Sequence, residues 1–340
     1  MEKILITGAA GNIGSSLTQA LHDKANYFIV AVDNLSTGSV SKLPSKSTAN
    51  YRFIKADVND YAEISTIFLQ YNFDYVFHFA AVVGVKRTTD HPIHVLNDID
   101  GIKNVLNLSK NTGVKRVFYS SSSEVYGEPV TMPQNEETTP LNSRLPYAVV
   151  KNIGEIYFKV YKREYDLDYT IFRFFNTYGP NQSQDFVMAK FLARALKNED
   201  ITIYGDGSQT RTFCYINDNV DTMIATMEQN KYVNDVLNIG SDQEMTILEL
   251  AKVIIRVTQS KSRIIHLAPL AEGDMTRRQP DNQKMKGLLD RKLISVEEGL
   301  QLMIQSGKFQ EAKGFENVFV LPQSLYLPKN GFSQNQALAL

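Results

Sequence analysis

The chain has 340 residues, 43% of them apolar, with 36 basic and 37 acidic side chains and a formal net charge of −1. That apolar fraction excludes disorder, and the lack of a basic excess excludes a dominant nucleic-acid role. One cysteine and five scattered histidines exclude an internal disulfide and a cysteine-rich zinc site; no apolar run reaches the roughly 18–20 residues that span a bilayer, and MEKILITG lacks the layout of a signal peptide, so a cytosolic protein off the membrane is expected.

The first half alternates apolar runs with helical spacing. Lys3–Thr7 is an apolar run that stops at a glycine, Ile13–Ala25 has helical periodicity, and Tyr27–Val32 is a second run. Tyr51–Lys55, Tyr75–Phe79 and Arg116–Tyr119 repeat the theme, with helical patterns over Tyr61–Gln70 and Ile93–Lys110. Such alternation predicts an α/β fold with a Rossmann-type doubly wound parallel sheet, which binds ligands beyond the carboxyl ends of its strands. A helix over Leu145–Tyr165 and a strand over Asp168–Phe174 follow. After Gly179-Pro180 the elements shorten and turns such as Gly205-Asp206-Gly207 multiply. Residues 1–180 are therefore read as the first domain. Residues 181–306 are read mainly as a smaller mixed α/β lobe that binds substrate, with some segments returning to the first domain. Residues 307–340 show no periodicity and are read as a C-terminal tail.

The first strand runs into Gly8-Ala9-Ala10-Gly11-Asn12-Ile13-Gly14, with the spacing GxxGxxG. Gly8 permits a tight turn, Gly11 lets the backbone approach a pyrophosphate, and Gly14 lets the helix pack closely on the strand. Asn12 and Ile13 open the helix whose free N–H groups face the phosphates. The second strand ends at Asp33, about 20 residues after the loop, where a carboxylate accepts the adenosine ribose hydroxyls and repels a 2′-phosphate. The following Asn34-Leu35-Ser36-Thr37-Gly38 brings no Arg or Lys, so NAD is expected rather than NADP. Asn34, Ser36, Thr37 and Gly38 join the cofactor set, as do Asp57-Val58 after the third strand and Phe79-Ala80-Ala81 after the fourth.

Tyr147 and Lys151 stand four residues apart, on one helix face. A free phenol with a pKa near 10 is a poor base at neutral pH. A nearby ammonium and a cationic nicotinamide favour the phenolate, which suits the pair to take a proton from an alcohol while hydride leaves to NAD. The run Ser120-Ser121-Ser122-Ser123-Glu124 directly follows a buried strand, and a hydroxyl there can relay a proton between substrate and Tyr147.

In this order GAAGNIG, Asp33-Asn34-Leu35, SSSSEVYG, YAVVK, RFFNTYGP from Arg173 and GDGSQTR from Gly205 resemble the extended short-chain dehydrogenase/reductase family of NAD-dependent nucleotide-sugar epimerases and dehydratases. The resemblance covers about residues 1–300. It implies a bound NAD, with Ser120 and Phe174 beside it, and a nucleoside-diphosphate sugar, with a UDP-sugar favoured. It aligns Ser122 with the catalytic hydroxyl, Tyr147 with the base and Lys151 with its partner. It assigns Asn176, Arg211 and one of Arg277 or Arg278 to the sugar diphosphate, for which Arg offers planar bidentate donors. Members carry Asn three residues before the glycine of the helix after strand four; here that position is Asp98, and the neighbouring Asn97 is taken as the cofactor contact. Long helices at Ile93–Lys110 and Leu145–Tyr165 form a dimer interface in the family, so a homodimer is expected; packing on the sheet alone is the other reading. His91 and His94 have no third ligand, and no metal is expected.

All branches of the family oxidise the sugar C4 hydroxyl. The stretch from Ala80 to Pro92, with Arg87, is similar to short-type UDP-hexose 4-epimerases, and 4-epimerisation is the leading expectation. Standard 4,6-dehydration loses its acid, because Ser123-Glu124 replaces the family's Asp-Glu pair. The same Ser-Glu is similar to UDP-glucuronate decarboxylases, which need a cation near the sugar carboxylate; Arg144 is one candidate, although an exposed helix-start residue is the favoured reading of it. Glu124 is either catalytic and substrate-binding or a backbone cap. A C4 dehydrogenase and a non-catalytic NAD-binding module also remain open.

Overall fold

The structure, a computed structural model, describes residues 1–45, 48–268 and 277–307. The chain begins β1 (Glu2–Thr7), α1 (Asn12–Lys24), β2 (Tyr27–Asp33), β3 (Tyr51–Lys55), α2 (Tyr61–Tyr71) and β4 (Tyr75–His78). It continues through α3 (Val85–Asp90), α4 (Pro92–Thr112), β5 (Arg116–Ser122), α5 (Pro146–Tyr165) and β6 (Asp168–Phe174). Next come β7 (Thr177–Tyr178), α6 (Val187–Leu196), β8 (Ile201–Tyr204), β9 (Thr210–Thr212), β10 (Cys214–Tyr215) and α7 (Ile216–Glu228). The described part closes with β11 (Asp235–Ile239), β12 (Glu244–Thr246), α8 (Ile247–Thr258), β13 (Ile264–Leu267), α9 (Gln283–Leu289) and α10 (Val296–Gln305).

Seven strands form one parallel sheet in the order β11-β6-β5-β4-β1-β2-β3. The order reverses at β1, whose Thr7 pairs with Val32 on one side and His78 on the other. That reversal opens a crevice between β1 and β4 at their carboxyl ends. The strands are apolar without alternation because helices cover both faces. On one face Phe77 stacks on Phe118 at 4.3 Å, and Phe118 on Phe172 at 5.8 Å. On the other face Val76, Val117, Tyr119 and Ile171 pack beneath α2, α4 and α5. The strand β11 returns from the second half of the chain to pair with β6, Ile239 opposite Phe174. The remaining short strands pair two by two: β10 with β7, β12 with β9, β13 with β8. Among the described residues no helix is long and apolar enough to cross a membrane. The predicted tail lies outside the described residues from 308 on.

Candidate active site

The turn after β1 is built for close approach. Gly8 has φ +65°, and a Cβ there would lie 2.6 Å from Ala80 N. A Cβ on Gly14 would lie 2.3 Å from Gly8 O, so α1 can sit on the turn only with glycine at that position. No side chain caps the start of α1 at Gly11, which leaves its first N–H groups free for an anion. Asn12 Oδ1 is buried with no partner among the described residues. Asp33 is held in place by two backbone donors: Ala10 N–H reaches Oδ2 at 2.9 Å, and Leu35 N–H reaches Oδ1 at 2.8 Å. Asn34 Nδ2 donates to Asp57 Oδ2 at 3.0 Å, tying the ends of β2 and β3 together.

These groups line one cleft of about 400 Å³ that runs over the carboxyl ends of the strands. Gly8, Gly11, Asn12, Ile13, Gly14, Asp33, Asn34, Ser36, Thr37 and Gly38 form one end, with Asp57 and Val58. Phe79, Ala80, Ala81, Ser120 and Phe174 lie along it. A cradle that a Cβ would fill, free helix N–H groups and an anchored carboxylate fit a dinucleotide.

Tyr147 and Lys151 face the cleft from the first turns of α5, which starts at Pro146. The Lys151 ammonium is buried. It donates to Ser120 Oγ at 3.3 Å and lies 5.1 Å over the Tyr119 ring and 5.8 Å from the Tyr147 ring. Burial pushes its pKa down to about 8, opposed by the charge of Asp98. Tyr147 departs from the expectation of an acidified phenol. Burial first, then the charge of Glu124, pushes its pKa above the ordinary value; the hydrogen bond from Ser122 pulls the other way. Ser122 Oγ also accepts from Glu124 N–H at 3.2 Å.

A buried network fixes the serine run. Ser121 Oγ donates to Glu155 Oε1 at 2.6 Å, and Arg173 grips Glu155 with two bonds of 2.9 and 2.7 Å. Arg173 also donates to Tyr126 Oη at 2.8 Å, which secures the 3₁₀ turn Ser123–Tyr126 after β5.

Glu124 and Arg278 share the cleft wall with Tyr147, Arg278 Nη1 lying 3.6 Å from Glu124 Oε1. Arg278 is held by its chain segment: Gln134 N–H donates to Gln279 O and Asp281 N–H to Gln134 O, each at 2.8 Å. Its Nε is buried with no partner among the described residues. Ser123, Asn176 and Arg87 also line the cleft. Asn176 Nδ2 donates to Thr212 O at 3.0 Å, and Arg87 Nη1 to Val83 O at 2.7 Å.

Four expected contacts fall off the cleft wall. Ser122 is buried at the end of β5, between Ser121 and Ser123, which do line the cleft. Arg277 leaves the cleft to form a two-bond pair with Glu244, both bonds at 2.6 Å. Arg211 lies buried in β9 and donates to Thr210 O at 2.6 Å, outside the cleft wall. Asn97 is exposed, whereas Asp98 lines the cleft. Asp98 Oδ2 accepts from Val82 N–H at 2.8 Å, and burial raises its pKa to about 6. The helical stripe Val95, Asp98, Ile102, Val105 is the buried face of α4, so periodicity alone pointed to Asp98. The sequence reading also missed Lys42, Asn181, Met188 and Phe213 on the cleft wall, which no local pattern marks.

The model of the NAD dependent epimerase/dehydratase family matches residues 4–240. The chain belongs to that family and is an enzyme of its NAD-dependent nucleotide-sugar class. It is 35% identical to a UDP-N-acetyl-alpha-D-glucosaminuronate decarboxylase of Bacillus cytotoxicus, covering 89% of this chain and 97% of the relative. It is 33% identical to a putative UDP-glucose 4-epimerase of Methanocaldococcus jannaschii, over 88% of this chain and 97% of the relative. The UDP-glucose 4-epimerase of Thermotoga maritima, solved with UDP-glucose, superposes with a TM-score of 0.83 at 33% identity, over 89% and 97% of the two chains.

Proposed function

We propose that the chain decarboxylates a UDP-linked hexuronate, oxidising C4, releasing C6 as carbon dioxide and returning a UDP-sugar one carbon shorter. One observation carries this reading: Arg278, buried on the cleft wall beside Glu124 and with its Nε unpartnered among the described residues, is a fixed cation near Tyr147. A sugar carboxylate needs a cation beside the reacting carbons, near Tyr147; the diphosphate, which either substrate carries and to which the resemblance assigned one of Arg277 or Arg278, is the competing ligand for it. The decarboxylase names among the relatives support the same reading. The sequence reading named Arg144 as one candidate while favouring an exposed helix-start residue, and Arg144 is exposed; in this reading Arg278 supplies the cation instead.

In this reading Tyr147 takes the proton of the C4 hydroxyl, with Ser122 hydrogen-bonded to it. NAD, held by the glycine turn and Asp33, would supply the acceptor for the C4 hydride and the source for its return. Lys151 holds a positive charge beneath the reacting region, fixed by Ser120 and the Tyr119 ring. In the 4-keto sugar the carboxylate is β to the carbonyl. The C5–C6 bonding pair flows toward the C4 oxygen as carbon dioxide leaves, and C5 then gains a proton. Tyr147, protonated in the first step, and Ser122 donate to that oxygen while it carries charge. Glu124 holds the guanidinium of Arg278, which binds the carboxylate.

A 4-epimerase is the second reading, supported by the likeness to the Thermotoga enzyme and by Arg87 on the cleft wall. Incubation with UDP-glucuronate and UDP-N-acetylglucosaminuronate, read by mass, separates the two: loss of carbon dioxide against unchanged mass with inverted C4. We also propose a homodimer through the outer faces of α4 and α5. Leu96, Val149 and Ile156 are exposed there, and Ile153, Ile156, Tyr157 and Val160 line an apolar groove. Sedimentation of the wild type against Ile156→Glu checks it.

A further inference from the structure

Lys42 ends a 3₁₀ turn, Val40–Lys42, in the segment that follows β2. That segment is drawn onto the glycine turn. Ser39 N–H donates to Ala10 O at 3.1 Å, and a Cβ on Gly38 would lie 2.8 Å from Asp33 Oδ1. Lys42 is half-buried on the cleft wall, with Asp33 as its neighbouring charge. Partial burial pushes its pKa below the ordinary lysine value, and Asp33 pulls it back up. Among the described residues none accepts a hydrogen bond from its ammonium. Asp33 meanwhile already accepts from Ala10 N–H and Leu35 N–H. This end of the cleft therefore holds a carboxylate with one backbone N–H on each oxygen and, beside it, a partly desolvated cation without an acceptor among the described residues.

We propose that Lys42 is a specificity-determining residue that lets the site accept the 2′-phosphate of NADP as well as the ribose hydroxyls of NAD. The inference rests on the assignment of this cleft end to the adenosine ribose. The sequence argument for NAD alone was that no Arg or Lys lies within Asn34–Gly38. The fold brings Lys42 back to the same place from four residues further on. An ammonium there offers charge-assisted hydrogen bonds to a phosphate and offsets the repulsion from Asp33. It offers nothing comparable to a neutral ribose hydroxyl, so the two cofactors respond differently to its loss.

The test is displacement of NADH from the full-length protein by NAD and by NADP, followed by NADH fluorescence. In the wild type NADP is expected to bind within about ten-fold of NAD. Lys42→Met is expected to weaken NADP by about ten-fold or more while NAD changes by less than about three-fold. Lys42→Arg retains the cation and is expected to keep NADP binding. NAD binding by each variant reports that it is folded, and Lys42→Gln repeats the test should the Met variant fail to fold. NADP weaker than NAD by more than about a hundred-fold in the wild type overturns the proposal. So does a Lys42→Met variant that weakens both dinucleotides by the same factor, because the lysine would then serve a group they share. No sugar takes part, so failure here leaves the decarboxylase reading intact, and failure of that reading leaves this one intact.

Discussion

The guanidinium of Arg278 lies 3.6 Å from the carboxylate of Glu124, on the same cleft wall as Tyr147. The spacing is that of a loose ion pair rather than a close hydrogen bond. It holds the cation in place and leaves its other donors for a ligand. Arg278→Gln is therefore expected to lower hexuronate turnover by about 10²–10³-fold. NAD binding should be retained, since among the described residues Arg278 pairs with Glu124 and not with the glycine turn or Asp33. Steady-state kinetics and NADH displacement on the same variant check both halves.

Tyr147→Phe removes the hydroxyl that Ser122 contacts and keeps the ring beside Lys151. Turnover is expected to fall by at least about 10²–10⁴-fold, with cofactor affinity retained. A Phe variant that works normally would sink the role given to Tyr147.

Asp98 offers a test by pH. Its carboxyl, raised to about 6 by burial, is an anion at pH 7. That anion raises the pKa of both Lys151 and Tyr147. Asp57 and Tyr119 are its other charged or titratable neighbours. Asp98→Asn keeps an acceptor for Val82 N–H and removes the charge. Lys151 then loses its proton at lower pH, and Tyr147 becomes a phenolate at lower pH. Both limbs of the rate profile should move to lower pH, by up to about one unit. A drop in rate with both limbs unmoved would assign Asp98 only to holding the loop.

The pair Glu155–Arg173 is buried, and Ser121 and Tyr126 complete it. Glu155→Ala leaves Arg173 as an uncompensated buried cation, which costs about 3–5 kcal/mol. Denaturant unfolding at neutral pH should show that loss as a lower midpoint.

Most of the first half was legible because each strand is a short apolar run buried on both faces. The helix predicted over Leu145–Tyr165 is observed as Pro146–Tyr165, and Ile93–Lys110 as Pro92–Thr112. The glycine turn and Asp33 were equally legible, since their chemistry is local. Arg277 and Arg278 were not separable. They are adjacent on an extended segment, and only the pairing with Gln134 decides which one enters the cleft. Lys42 and Glu124–Arg278 depend on chain segments brought together by the sheet, which no spacing rule encodes. Choosing Asn97 over Asp98 was a different kind of miss, because the apolar stripe of α4 already placed the acid inward.

The most direct measurement is the mass of the product formed from UDP-glucuronate or UDP-N-acetylglucosaminuronate by the purified protein. A UDP-sugar lighter by one carbon dioxide, formed by the wild type and lost in Arg278→Gln, is the expected result. An unreacted hexuronate, together with C4 inversion of UDP-glucose or UDP-N-acetylglucosamine at unchanged mass, would contradict decarboxylation and establish the epimerase.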